Sequence, residues 1–319
     1  MRGFGVSAWG TPPGPLDLPG RQPGRGEISV AIEACGLNFA DLLMAEGTYQ
    51  EKPDPPFALG MEVAGRVTSM GEGVQGLATG AQVAVFAGSG GLAETGCFAA
   101  NRAVVLPEGM PAAHAAAFQV AYGTSHLALS HRARLREGET LLVLGAAGGV
   151  GLTAVEVGKL MGARVIAVAR GSDRLAVAEA AGADHLIDSD SADLRAELKA
   201  LGGADVVYDP VGGPAFEAAF RTARPEARLL PIGFASGEVP QIKANHLLVK
   251  NLDVMGFYWG GYLAFRPDLV ADSLRTLLGW YAEGRIRPHV GATLPLDRAG
   301  EGLELLRARK VTGKVVITI

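Results

Sequence analysis

The chain has 319 residues, 48% of them hydrophobic and 19% charged, with a formal net charge of −4. That balance predicts a packed globular protein of about two domains and excludes disorder. The absence of any Lys/Arg-rich run removes the electrostatic case for binding nucleic acid.

No uninterrupted apolar stretch approaches about 20 residues, so no membrane span is expected. The start, 1–14, lacks a charged-then-apolar leader pattern. Only Cys35 and Cys97 occur. Two cysteines exclude a disulfide framework and a four-cysteine zinc lobe, and they read as buried thiols in a reducing cytoplasm.

The first third reads as short strands. Ile28, Val30 and Ile32 alternate with Ser29, Ala31 and Glu33, the period of a half-buried strand. Further apolar runs follow at 63–67, 82–86 and 98–106, and their spacing suggests a small barrel or sandwich. The proline-rich stretch 52–56 cannot be a central strand. An alanine-rich, helix-like segment covers 112–129, interrupted at Tyr122-Gly123-Thr124. From Thr140 strands and helices alternate. Strands are predicted at 141–144, 165–169, 185–187, 206–209 and 228–232, with helices at 152–161, 173–181, 192–201 and 214–222. Such alternation calls for a parallel sheet covered on both faces. A last strand of that sheet is expected at 254–259, an amphipathic helix at 269–283, a short helix at 299–309 and a final strand at 315–319. The final strand resembles those of the first third, so the chain is expected to return there. The resulting division is 1–118 with 259–319, and 119–258, with the ligand cleft between them.

The run Leu141 to Gly151, L-L-V-L-G-A-A-G-G-V-G, is a strand, a tight turn and a helix start. Glycines there let main-chain N–H groups and a helix N-terminus approach a pyrophosphate. Ala147, Gly148, Gly149 and Val150 are the candidate phosphate-binding positions. The end of the next strand reads the adenosine ribose: a carboxylate there selects NAD and a basic side chain selects NADP. Here it carries Arg170, followed by Ser172 and Arg174. A guanidinium can make two bonds to one phosphate, so NADPH is the expected cofactor. Asp173 dissents, although a first-turn aspartate also suits the helix dipole.

The motifs together resemble the zinc-free branch of the medium-chain dehydrogenase/reductase superfamily, in particular the NADPH:quinone oxidoreductases of zeta-crystallin type. The resemblance spans nearly the whole chain. It rests on Cys35-Gly36-Leu37-Asn38-Phe39-Ala40-Asp41, Gly47-Thr48-Tyr49, Gly60-Met61-Glu62-Val63-Ala64-Gly65, Ala121-Tyr122-Gly123-Thr124 and the glycine run to Gly151. Asp209-Pro210-Val211-Gly212-Gly213 and Gly233-Phe234-Ala235-Ser236-Gly237 add to it. It implies a Rossmann-type parallel-sheet domain, a GroES-like mostly-β catalytic domain and a homodimer. Zinc-containing relatives place metal ligands where this chain has Asn38 and Met61. An amide and a thioether are poor Zn²⁺ donors, so no metal is expected.

Without a Lewis acid the acceptor must already be electrophilic, as a quinone or an α,β-unsaturated carbonyl is. Asn38 and Tyr49 are the candidate donors to the developing oxyanion, and Asp41 a group holding a neighbour of the site. Asn38 reads alternatively as a helix cap, Asp41 as a first-turn residue serving the helix dipole, and Tyr49 as a half-buried aromatic. Thr124, Val211, Gly233, Phe234, Ala235, Phe257 and Tyr258 are expected at the nicotinamide end. An enoyl-thioester reductase and a cofactor-binding protein with little turnover stay open as alternatives.

Overall fold

The computed structural model describes residues 1–190 and 193–319. The chain forms two compact units, 1–120 with 287–319 and 121–286.

The first unit is organised around the strand Glu27–Leu37, whose Ile28, Val30 and Ile32 are buried at alternate positions, as their period requires. It pairs antiparallel with Glu62–Met70, Thr95–Ala99 and Lys314–Thr318. The sheet continues through Gln82–Phe86 to Ala103–Val105 on one side and to Val290–Pro295 on the other. A smaller sheet joins Gly14–Asp17, Arg2–Val6 and Phe57–Ala58. The C-terminal strand thus lies in the first unit, as its sequence suggests. Its register pairs Val315 with Leu37, so one step further brings Lys314 level with Asn38.

Among the described residues the second unit holds six parallel strands. Their spatial order is His185–Asp188, Arg164–Ala169, Thr140–Leu144, Val206–Asp209, Arg228–Pro231, Asp253–Val254. This is the doubly wound order, and its direction of winding reverses between Thr140–Leu144 and Val206–Asp209. Helices Gly149–Leu160, Ser172–Ala180 and Gly213–Thr222 follow their strands. The helix expected at 192–201 is Leu194–Ala200 among the described residues, and Ala192 lies outside them.

Several expectations are corrected. The run 98–106 is not one strand: a 3₁₀ turn at Ala100–Arg102 separates Thr95–Ala99 from Ala103–Val105. The alanine-rich helix breaks at residues 117–118, and Tyr122-Gly123-Thr124 lie inside the helix Gln119–Leu127. Gly123 is needed there because any Cβ would press on the indole of Trp259. The strand expected at 254–259 shrinks to Asp253–Val254, since Trp259 opens the helix Trp259–Phe265. The chain leaves the second unit at residue 286 and not at 258. The helix Pro267–Ala282 belongs to that unit because it packs on Gln119–Leu127. His126 Nδ1 lies 2.8 Å from Ser273 Oγ, and the His126 and Trp280 rings meet edge to face at 5.4 Å. Cys35 is buried but Cys97 is only partly so.

Candidate active site

In the second unit Thr140–Leu144 ends in Gly145, at φ 59°, and the helix begins after Gly148. Ala146 N–H donates to the Val168 carbonyl at 2.9 Å and Gly148 N–H to that of Gly145 at 3.0 Å, which closes the turn. The first N–H groups of a helix have no intrahelical acceptor; here they belong to Gly149 and Val150, both partly exposed. Gly148 is exposed, whereas Ala147 is nearly buried and offers only main chain. Gly151 permits the close approach: a Cβ there would overlap the Gly145 carbonyl oxygen. Gly151→Ala is therefore expected to destabilise by about 1–3 kcal/mol. It should also weaken dinucleotide binding. Gly158→Ala meets only the side chains of Leu141 and Val165 and should cost less. Equal effects in denaturant unfolding and cofactor titration would remove this account of the loop.

A hydroxyl cluster braces the turn from behind. Ser125 Oγ donates to the Val150 carbonyl at 3.0 Å and contacts Thr153 Oγ1 at 2.8 Å and Tyr208 Oη at 3.0 Å. All three residues are buried, and no local sequence pattern singles them out. Thr124, one residue before Ser125, is also nearly buried.

The loops after the neighbouring strands are knitted to one another. Asp209 is fully buried, and its carboxylate accepts from Val211 N at 2.8 Å and Gly212 N at 2.9 Å. Burial pushes its carboxyl up, against the pull of these N–H groups. Ala235 N–H reaches the Pro210 carbonyl at 3.1 Å and Ser236 N–H that of Val211 at 2.8 Å. Val211 is also the side chain a Cβ on Gly145 would strike. The structure therefore brings the glycine turn, Val211 and the Gly233-Phe234-Ala235 loop to the carboxyl edge of one sheet, where doubly wound folds bind ligands. Phe257 packs on Tyr262 at 5.4 Å, and the Tyr258 ring lies over Gly260 and Gly261 of the helix that follows it.

At the adenosine position Arg170 is exposed after Ala169, with exposed Ser172 and partly buried Arg174 in the next helix. Arg170 Nε lies 3.2 Å from Asp190 Oδ1, a partner that the sequence does not reveal.

The first unit contains a buried polar cluster where strand ends converge. Lys314 is 5% exposed and Glu62 1%. Lys314 Nζ donates to Glu62 Oε1 at 2.6 Å and to Asn38 Oδ1 at 2.7 Å. Asn38 Nδ2 donates to Glu62 Oε1 at 3.0 Å and to the Gly36 carbonyl at 3.3 Å. Glu62 Oε2 accepts from Val120 N–H at 2.9 Å. The Asn38 amide is thus committed at both ends and is not a loose donor awaiting substrate. Sequence reasoning misses Lys314, although one signal exists: it is the lone charge opening an apolar strand.

Asp41 holds the main chain of Asn38, the neighbouring candidate donor. It is 0% exposed, and its carboxylate accepts from the main-chain N–H of Asn38 at 2.7 Å and Gly60 at 3.0 Å. Desolvation raises its carboxyl to about 6. Its contacts are those of a helix-capping and loop-holding residue, which keeps the Asn38 and Gly60 segments together. Tyr49 follows the same helix, partly buried, with its N–H on the Leu43 carbonyl at 3.2 Å.

These residues do not fit a metal ion. Met61 is a buried thioether, Asn38 is spent on neighbours, and Glu62 is already neutralised by an ammonium. Among the described residues no three His, Cys, Asp or Glu side chains form a metal-binding group. No described helix is long and apolar enough to cross a membrane.

A Rossmann-type parallel sheet with a glycine turn at its reversal point, carried in one chain with a GroES-like β unit, defines a dinucleotide-dependent oxidoreductase of two-domain type. Residues 24–108 match the alcohol dehydrogenase GroES-like domain family, and residues 149–275 the family described as zinc-binding dehydrogenase. The chain is 37% identical over 300 residues to quinone oxidoreductase-like protein 2 homolog of Nematostella vectensis, covering 92% of this chain and 82% of that one. It is 32% identical to the human synaptic vesicle membrane protein VAT-1 homolog over 314 residues, covering 92% and 79%. Among solved structures, the quinone oxidoreductase of Thermus thermophilus, described also in complex with NADPH, is similar with TM-score 0.87 and 35% identity, covering 100% of both chains. The Escherichia coli quinone oxidoreductase complexed with NADPH gives TM-score 0.93 at 27% identity, again covering 100% of both chains. The chain belongs to the medium-chain dehydrogenase/reductase superfamily, in its quinone oxidoreductase family.

Proposed function

We propose that this protein is an NADPH-dependent reductase of quinones or other α,β-unsaturated carbonyls that works without a metal. The observation that carries this reading is the cluster at Asn38, Met61 and Glu62, where a donor set unsuited to zinc is closed by the ammonium of Lys314. The similarity to quinone oxidoreductases solved with NADPH supports the cofactor.

Bound NADPH supplies the hydride. The glycine turn, through Gly148, Gly149 and Val150, holds the pyrophosphate. Arg170, Ser172 and Arg174 hold the 2′-phosphate. Thr124, Val211 and the Gly233-Phe234-Ala235 loop line the nicotinamide end, with Phe257 and Tyr258 as apolar walls. The acceptor is already conjugated, so the protein has only to position it and offer a donor to the oxygen on which charge develops. Tyr49 is the proposed donor, while Asn38 contributes as a fixed dipole held by Lys314 and Glu62. The working form is read as a homodimer; Leu248 and Val249, each 78% exposed, lie in the helix Ala244–Lys250 that precedes the edge strand Asp253–Val254. A monomeric mass in sedimentation equilibrium would overturn that part.

The deciding experiment is NADPH oxidation by the metal-depleted protein against a panel of quinones, enones and enoyl-CoA esters. Turnover with quinones or enones is expected. Turnover confined to enoyl-CoA esters moves the assignment to a thioester reductase. NADPH binding without acceleration by any acceptor overturns the enzyme reading.

A further inference from the structure

Arg170, on which the cofactor assignment leans, already has an anion. Its Nε is 3.2 Å from Asp190 Oδ1, with the two side chains 58% and 59% exposed. The pairing is fixed from the main chain. Asp188, at the end of the strand His185–Asp188, accepts through Oδ1 from Gly171 N–H and from Asp190 N–H, each at 3.0 Å. The bond from Gly171, then that from Asp190, holds the Asp188 carboxyl below its ordinary range. One carboxylate therefore ties together the loops that follow two neighbouring parallel strands, in which Ala169 is level with Asp188. The tie sets the main chain of Asp190 so that its carboxylate lies beside Arg170. Around this tip the side chains are Arg170 and Arg174 against Asp173, Asp188 and Asp190, an excess of acid where a phosphate is to bind.

The geometry points to Asp190 as a specificity-determining residue: its carboxylate occupies the Arg170 guanidinium in the place of a 2′-phosphate, so that NADP(H) must displace it and NAD(H) need not. This rests on, and deepens, the cofactor assignment above. After displacement Asp190 cannot move far, because its N–H stays on Asp188, and it then stands as a like charge beside the phosphate. The native residue thus holds down both the affinity for NADPH and the preference for it over NADH. An exposed ion pair is worth little, and a like charge at the surface is of similar size, so the effect is about three- to tenfold in affinity.

The test is calorimetric binding of 2′,5′-ADP, 5′-AMP, NADPH and NADH to the full-length chain. The proteins compared are wild type, Asp190→Asn, Arg170→Ala and the double variant. Asp190→Asn is expected to bind 2′,5′-ADP and NADPH about three- to tenfold more tightly, with 5′-AMP and NADH within about twofold of wild type. The gain should shrink in the Arg170→Ala background, where only the relief of the like charge remains. A wild-type protein that binds 2′,5′-ADP no more tightly than 5′-AMP overturns the cofactor assignment, and the proposal with it. A clear wild-type preference with unchanged affinity in Asp190→Asn, or a gain undiminished in Arg170→Ala, overturns the proposal alone.

Discussion

Lys314→Met is expected to destabilise the first unit by about 3–5 kcal/mol, the usual cost of leaving one half of a buried ion pair unpartnered. Glu62, 1% exposed, would lose its ammonium and keep only Asn38 and Val120 as partners. The Asn38 carbonyl would lose the 2.7 Å bond from Nζ. The paired substitution Lys314→Met with Glu62→Gln removes both charges. The double variant should therefore be more stable than Lys314→Met alone, although it carries one more change. Denaturant unfolding of wild type, both single variants and the double variant measures this. A double variant less stable than either single one would show that the cluster is not an interdependent ion pair.

Arg170→Glu is expected to weaken NADPH binding about 100-fold while leaving NADH within about threefold. The loss combines charge-assisted hydrogen bonds, each worth about 1.5–3 kcal/mol, with the repulsion of a reversed charge. The introduced carboxylate would also face Asp190 and add to the negative field at the tip. The side chain at this position is exposed, so the fold should be insensitive to the change. Parallel titrations with the two cofactors separate the outcomes. Equal losses would mean that Arg170 merely steers anions, and no loss in either would make it an ordinary solvated arginine.

The second unit is highly legible in the sequence. Its strands and helices alternate, and its connections are local, so hydrophobic period and glycine placement predict the sheet and its phosphate turn. Misreadings arise where packing outweighs pattern. A break in the alanine-rich segment is expected at Tyr122-Gly123-Thr124 because glycine is a poor helix former. The helix continues through Gly123 because the missing side chain makes room for Trp259. The segment 254–259 looks like a strand because its residues are aromatic and apolar. Trp259 and Tyr262 instead bury their rings from a helix, where the period of two has no meaning. Asp41 reads as a group that holds a neighbour, and only the structure shows that the second segment it holds is at Gly60.

The sequence by itself determined the family, the parallel sheet, the glycine turn and the basic residue at the end of its second strand. All are encoded within runs of a few to a dozen residues, the range over which periodicity and turn chemistry operate. Only the tertiary structure decided what Asn38 and Arg170 are bound to. Lys314 is 276 residues from Asn38 and 252 from Glu62, and it meets them because antiparallel register aligns the ends of separate strands. Asp190 meets Arg170 because two parallel strands end side by side and one carboxylate, Asp188, ties their loops. Such partners are chosen by sheet register, a property of strand pairing that no local pattern carries.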